Sequence, residues 1–280
     1  VTVAQNPVFH GGAAASAATA AFTGLVIIPD STGAAGPKKY NGTTLSDLGG
    51  TPPKAKFATV YQDYTVLANG SVSATYYPDR IWFSPEGDPD CAVSAVTAWD
   101  TTDSWMAFSQ EVTGLASTRN ALLVFHDEGV SRVRGSIPPP DADMIKEDMF
   151  FQGCGLADPF SIVSYKDTVI WASPTGVYRT DGSFIDDLTA RGGMRRYWLD
   201  NWISSGFQVA GGVHRDYYFL SLLDGSSFVD GFMVNLKTMA WTRMTNTDAT
   251  SMWTGFTSSG EELLYWGMRS AARVCDMASV

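Results

Sequence analysis

The chain has 280 residues, 29 of them acidic and 19 basic, for a net charge of −10. An acid excess of that size argues against wrapping nucleic acid by phosphate neutralisation, which needs clustered Lys and Arg. Charged residues make up only 17% of the chain, below the roughly 25% of an ordinary globular protein, so Ser, Thr, Gly and Asn must cover much of the surface.

Residues 1–23 read as an extended lead-in. The Ala-rich stretch 11–22 has the look of a signal-peptide core, but no basic residue precedes it. The first residue is Val rather than Met, which fits a trimmed chain, a piece of a longer protein or a literal reading of a GTG start codon. Residues 24–280 read as one β domain. A first partial unit is visible at 24–29 and 38–44. After it come five groups of strand-like runs, headed at 60–68, 121–125, 168–172, 217–222 and 263–266. Each head is preceded by another run, at 56–60, 112–116, 160–165, 207–213 and 252–256. Each is followed by a third, at 80–84, 130–134, 177–179, 228–235 and 272–275. Fourth runs are visible at 240–244 and at 96–99. Two inserts interrupt the pattern: the Pro-rich, acidic stretch 135–155, read as a surface loop, and 184–202, whose apolar spacing over 194–202 predicts a short helix.

The strongest signal is internal. The segment Asn120–Gly135 recurs as Asp167–Gly182: Gly129 matches Gly176, Val130 matches Val177, Arg132 matches Arg179 and Gly135 matches Gly182, at an offset of 47 (176 − 129). Antiparallel hairpins repeating every 40–50 residues are the mark of a β-propeller. The expectation is an all-β propeller of about six blades, each a three- to four-stranded antiparallel sheet. Gly129 and Gly176 read as turn glycines, Val130 and Val177 as core, and Arg132 and Arg179 as contacts on a strand face. A last blade short of one strand leaves room for closure by an N-terminal strand.

Candidate chemistry is sparse. The three histidines, His10, His126 and His214, carry no sequence signature of a catalytic triad, and no G-x-S-x-G elbow is present. Asp63, Asp127, Asp167, Asp216 and Glu261 or Glu262 recur near strand edges, close to the blade period. That regularity fits carboxylates bracing hairpin turns rather than the paired acids of a glycosidase. Glu86–Asp90 and the pair Asp141 and Asp143 offer oxygen ligands but lack the length and terminal Glu of an EF-hand loop. No phosphate-cradling glycine motif occurs. Asn41-Gly42 and Asn69-Gly70 read as hairpin turns. Trp82, Trp171 and Trp266 read as core, and Cys91, Cys154 and Cys275 as buried, reduced thiols. No run is apolar enough for a membrane span. No catalytic, cofactor-binding or metal-binding residue is expected, and no cofactor.

The run Phe57-Ala-Thr-Val-Tyr-Gln-Asp-Tyr-Thr-Val-Leu-Ala68, followed by Arg80-Ile-Trp-Phe-Ser-Pro-Glu-Gly-Asp-Pro-Asp90 and Ala98-Trp99, resembles the propeller of tailed-bacteriophage tail proteins of the tail-nozzle and tail-tubular type. The likeness extends through Val112-Thr-Gly-Leu115, Ala121–Phe125, Gly153-Cys-Gly-Leu156 and Gly176-Val-Tyr178. Tyr64 stands where that pattern has Arg. The resemblance implies a structural, non-enzymatic virion protein, assembled in the host cytoplasm. Its partners would be other tail or connector proteins and further copies of itself in a homo-oligomeric ring, with genome DNA passing without specific binding. The alternative is a propeller glycoside hydrolase or glycan-binding module acting on host surface sugars.

Overall fold

The computed structural model describes residues 8–11, 24–30, 35–92, 96–136, 143–201, 207–224, 227–245, 247–256, 259–268 and 272–275. Two compact units divide the chain, residues 1–152 and 153–280. The first holds three four-stranded antiparallel sheets. They are β1 (Val8–Gly11), β2 (Gly24–Ile28), β3 (Lys38–Tyr40) and β4 (Leu45–Asp47); then β5 (Lys54–Tyr61), β6 (Tyr64–Val72), β7 (Thr75–Phe83) and β8 (Trp105–Ala107); then β9 (Gly114–Ser117), β10 (Leu122–Phe125), β11 (Gly129–Arg134) and β12 (Ile145–Gln152). The second unit holds a sheet of β13 (Val163–Tyr165), β14 (Thr168–Ser173), β15 (Gly176–Thr180) and β16 (Ile185–Asp187). After the short helices α1 (Leu188–Arg191) and α2 (Arg195–Asn201) comes a sheet of β17 (Phe207–His214), β18 (Tyr217–Asp224), β19 (Ser227–Asn235) and β20 (Trp241–Met244). A three-stranded sheet of β21 (Ala249–Phe256), β22 (Glu262–Met268) and β23 (Ala272–Cys275) follows.

Sequential strands pair up-and-down in every sheet, which is blade topology, and the fold is an all-β propeller. The expected count of about six becomes five complete four-stranded blades and a three-stranded sheet. The described N-terminal strand, β1, falls inside the stretch read as a lead-in. It pairs with β2 in the first sheet, Val8 opposite Ile27, and does not extend the last one.

The central strands of the β5–β8 and β17–β20 sheets need no polar face, because sheets of their own unit cover both sides. Along β6 and β7, Val66, Ala68, Ile81 and Phe83 join one apolar cluster with β10 and β11, while Leu67 and Trp82 join another with Leu25 and Ile27. The second unit repeats this. Tyr218, Leu220 and Leu222 face β14 and β15, and Phe219 faces Met252 and Leu264. Alternate residues thus enter different cores, so the strands read as continuous apolar runs. Each fully buried Leu, Val or Phe contributes about 1.5–3 kcal/mol.

Several expectations are corrected. Residues 60–68 are not one strand: Gln62 and Asp63, at φ 48° and 62°, make a two-residue turn between Tyr61 and Tyr64. Paired positive φ values give the twist that fits a tight hairpin. Asn69-Gly70 is not a turn but a bulge inside β6, where a Cβ on Gly70 would meet the Lys54 carbonyl oxygen at 1.9 Å. Asn41-Gly42 is a turn as expected, the Asn41 side chain accepting the N–H groups of Thr43 and Thr44. The stretch 135–155 is not all loop: Ile145–Gln152 is the outer strand β12, masked in the sequence by its charges and half-exposed edge position. The fourth strand of the second sheet is Trp105–Ala107 rather than 96–99. Residues 160–165 begin as a 3-10 turn, Pro159–Ser161. The helix predicted over 194–202 is present as α2.

Gly129 and Gly176 close their hairpin turns, as expected, opposite His126 and Ser173, and are also close-approach residues. A Cβ on Gly129 would meet the Phe151 carbonyl oxygen at 2.3 Å, and one on Gly176 would meet Thr189 Oγ1 at 2.5 Å. Backbone yields less than a side chain. Gly129→Ala is therefore expected to destabilise the protein by about 1–3 kcal/mol and Gly176→Ala by less, measured as the urea midpoint of each variant.

Candidate functional site

Arg132 and Arg179, matched in the repeat, do the same work. Each lies on the third strand of its sheet and pairs with its register partner on the fourth: Arg132 with Glu147 at 2.6 Å and Arg179 with Asp186 at 2.7 Å. They are structural cross-strand pairs.

The densest buried polar group lies beside Arg132. His126, fully buried just after β10, places Nδ1 2.9 Å from the Glu111 carbonyl oxygen and Nε2 2.8 Å from Ser131 Oγ. A carbonyl only accepts, so Nδ1 carries a proton. Ser131 donates to Asp148 at 2.9 Å and accepts the Met149 N–H at 2.9 Å. Burial pushes the His126 imidazole below its ordinary value. In Asp148, hydrogen bonds from Ser131 and Ser109 outweigh desolvation and hold the carboxyl low. The residue types are those of a catalytic triad, but the order is wrong. In a triad the imidazole lies between hydroxyl and carboxylate, whereas here the hydroxyl lies between the other two and is sealed from solvent. The group fastens β12 to β10 and β11. Ser131→Ala would leave His126, Met149 N–H and Asp148 each short of a partner, at about 1–3 kcal/mol per orphaned group; loss of chemical-denaturation stability measures it.

The oxygen-rich turn Glu86–Asp90 does not converge on a common point. Asp88 accepts the Ala92 N–H at 3.0 Å; Asp90 accepts the Gly49 N–H at 2.7 Å and binds Lys39. Asp141 lies outside the described residues. Among the described residues, no group of three or more His, Cys, Asp or Glu side chains could hold a metal ion.

Asp63, Asp167 and Asp216 lie at the hairpin turn between first and second strands, but Asp127 lies at the opposite end, between β10 and β11. The series is therefore not a ring of equivalent acids. Asp216 engages Lys237, Lys166 and Tyr165, and the hydrogen bonds from Lys237 and Tyr165 hold its carboxyl far below the usual range. Glu262 accepts the Arg215 N–H at 3.0 Å and lies 3.9 Å from His214 Nδ1. Among the described residues, neither ring nitrogen of His214, buried at the end of β17, has a hydrogen-bond partner. Nothing is described of the His10 side chain.

Trp82 and Trp171 are fully buried, as expected, and Trp266 is half-buried against Phe219. Cys154 is buried and its thiol is pushed up to about 12; Cys91 is only partly buried, and burial beside Asp88 and Asp90 pushes it up to about 11. The sequence reading missed Trp253, on β21, which is 61% exposed and lies over Tyr265 at 5.3 Å. Its neighbours in sequence look like any strand, so only tertiary structure separates it from the core tryptophans.

Asp158 was also missed. It accepts the Phe160 N–H at 2.8 Å and the Val209 N–H at 3.1 Å, tying the 3-10 turn to β17. Burial outweighs those two donors and pushes its carboxyl up to about 6. Because that value lies above the unfolded 3.8, folding takes up a proton. The stabilisation is complete below about pH 4 and lost as pH rises through about 6. Asp158→Asn should remove this share, up to about 2 kcal/mol, of the change in stability between pH 4 and 6.5, read from urea midpoints of both proteins across that range.

No protein-family model matches the chain, and no curated protein matches it. Solved propeller structures do. Hsv2 of Kluyveromyces marxianus aligns over 96% of this chain and 72% of its own at 8% identity and a TM-score of 0.48. The CNH domain of AfRom2 aligns over 90% and 80% at 6% identity and 0.45. A protein of Bacteroides fragilis described as a 6-phosphogluconolactonase aligns over 97% and 82% at 13% identity and 0.45. None of these likenesses carries an activity over to this chain. No helix among the described residues is long and apolar enough to cross a membrane.

Proposed function

We propose that this chain is a structural, non-enzymatic protein of a tailed-bacteriophage virion, placed in the tail with other tail or connector proteins and with copies of itself. One observation carries the reading: the motif that resembles phage tail propellers, Arg80–Asp90, is used throughout for building. Arg80 packs between Tyr77 and Trp105. Ser84 Oγ accepts the Thr65 N–H at 2.9 Å, and Gly87 N–H donates to the Asp63 carbonyl at 2.8 Å. Asp90 ties the turn to Gly49 and Lys39 of the first sheet. A motif whose side chains pack against neighbouring rings, turns and sheets supports a scaffold rather than a reaction centre. The acid excess supports DNA passage without adhesion.

Purified particles of a phage encoding this chain should contain it at fixed stoichiometry by mass spectrometry. Its absence from particles would end the proposal. The isolated protein should also fail to shift duplex DNA at about 50 mM salt, where phosphate-driven binding is strongest.

A second reading, a glycan-binding module, is favoured by the exposed Trp253–Tyr265 pair, because stacked aromatic faces suit the apolar faces of sugar rings. On that reading, Trp253→Ala abolishes retention on a glycan array. Equal retention by wild type and variant, or none by either, would remove it.

A further inference from the structure

We propose that Asn41 is a modification site: in the folded protein its side-chain amide is lost spontaneously, leaving aspartate and isoaspartate. Four turns that lead into fourth strands are built alike. One side-chain oxygen accepts two successive backbone N–H groups: from Thr43 and Thr44 at Asn41, from Thr102 and Asp103 at Asp100, from Ser183 and Phe184 at Asp181, and from Lys237 and Thr238 at Asn235. Two of the four acceptors are carboxylates, so the acid that amide loss would leave at position 41 already has its counterpart in this fold. Asp181 is the closer likeness, because Gly42 and Gly182, the residues that follow, share a φ of 92°.

The reaction is an attack by the Gly42 backbone nitrogen on Asn41 Cγ. The N–Cγ bond forms, the Cγ–Nδ2 bond breaks, and ammonia leaves with the proton of the Gly42 N–H. Water then opens the cyclic imide at either carbonyl. One opening gives aspartate; the other reroutes the main chain through the side chain and gives isoaspartate. Three features of the turn favour the attack. Gly42 has no Cβ to hinder ring closure, and among the described residues its N–H makes no hydrogen bond. Asn41 and Gly42 are both exposed, open to water and base. The N–H groups of Thr43 and Thr44, 3.0 and 2.8 Å from Asn41 Oδ1, are aimed at the atom that takes up negative charge as the nitrogen adds, the arrangement that stabilises an oxyanion.

Two other asparagines each lack part of this. Asn69 also precedes glycine, but it is buried, and its Nδ2, the group that must leave, donates to Glu111 at 2.8 Å and to the Val112 carbonyl at 2.7 Å. Asn235 sits in the same kind of turn. Its successor, however, is Leu236, buried and with its N–H bonded to the Asp216 carbonyl at 2.8 Å.

Trypsin yields peptides that report the three residues separately: 40–54 holds Asn41, 57–80 holds Asn69 and 216–237 holds Asn235, each as its only asparagine. Folded protein is aged in mildly alkaline buffer beside a second sample in urea. Amide loss is followed by peptide mass spectrometry, with the aspartate and isoaspartate forms separated by chromatography. The expected result in the folded protein is conversion of Asn41 about tenfold or more faster than of Asn69 or Asn235. Both products should be present, and the rate should rise with pH. In urea Asn69 should draw level with Asn41, since both then precede glycine in an open chain, while Asn235 stays slow. Folded protein in which Asn41 keeps its amide for as long as the urea sample takes to lose it, or loses it no faster than Asn69, overturns the proposal.

Discussion

The fourth strand of each complete blade is the structural problem this chain has to solve. Second strands such as β6, β10, β14 and β18 are buried along most of their length, but the outer strands are short, polar or half-exposed: Leu45–Asp47, Ile145–Gln152, Ile185–Asp187 and Trp241–Met244. Burial alone cannot secure them. A cation meets an anion across the last strand pair in four sheets, and in the fifth a guanidinium packs between aromatic rings of the third and fourth strands. In water such pairs contribute little. Arg132, at 7% side-chain exposure, with Glu147 on one side and the Phe150 ring 3.5 Å away, is shielded enough for the contact to count.

The same constraint explains the glycines of the repeat. Gly129 lets β12 approach β11, and Gly176 admits Thr189 at the start of α1. At Gly129 the missing side chain lets β12 sit down on the third strand and Arg132 holds it there, whereas at Gly176 it admits Thr189 while Arg179 holds β16 through Asp186. Repetition of Gly and Arg at a fixed interval therefore records a joint, repeated where the blade is weakest.

Most strands were legible because burial on both faces writes unbroken apolar runs, as at Leu122–Phe125 and Tyr217–Asp224. What hid was of two kinds. Two-residue turns lacking glycine, such as Gln62-Asp63 and Lys166-Asp167, are invisible to a search for Asn-Gly, while Asn69-Gly70 signals a turn and forms a bulge. Outer strands were the other case: β12 carries Lys146, Glu147 and Asp148 in a row, and its partner choice is tertiary. The polar group of His126, Ser131 and Asp148 shows the same limit. The sequence places His126 near a hairpin end, but Asp148 reaches it only because β12 exists. Asp158 and Trp253 gave no sequence signal, since desolvation of one and exposure of the other depend on packing.

The two described cysteines have a consequence for the lifetime of the protein. The thiols of Cys91 and Cys154 are pushed up to about 11 and about 12. Near neutral pH the reactive thiolate is then on the order of one molecule in ten thousand at Cys91, and fewer at Cys154. Disulfide exchange, alkylation and peroxide oxidation all begin at the thiolate, so each is slowed in proportion. In surroundings that hold oxygen and no reductant, these two sulfurs would age slowly without any enzyme to repair them.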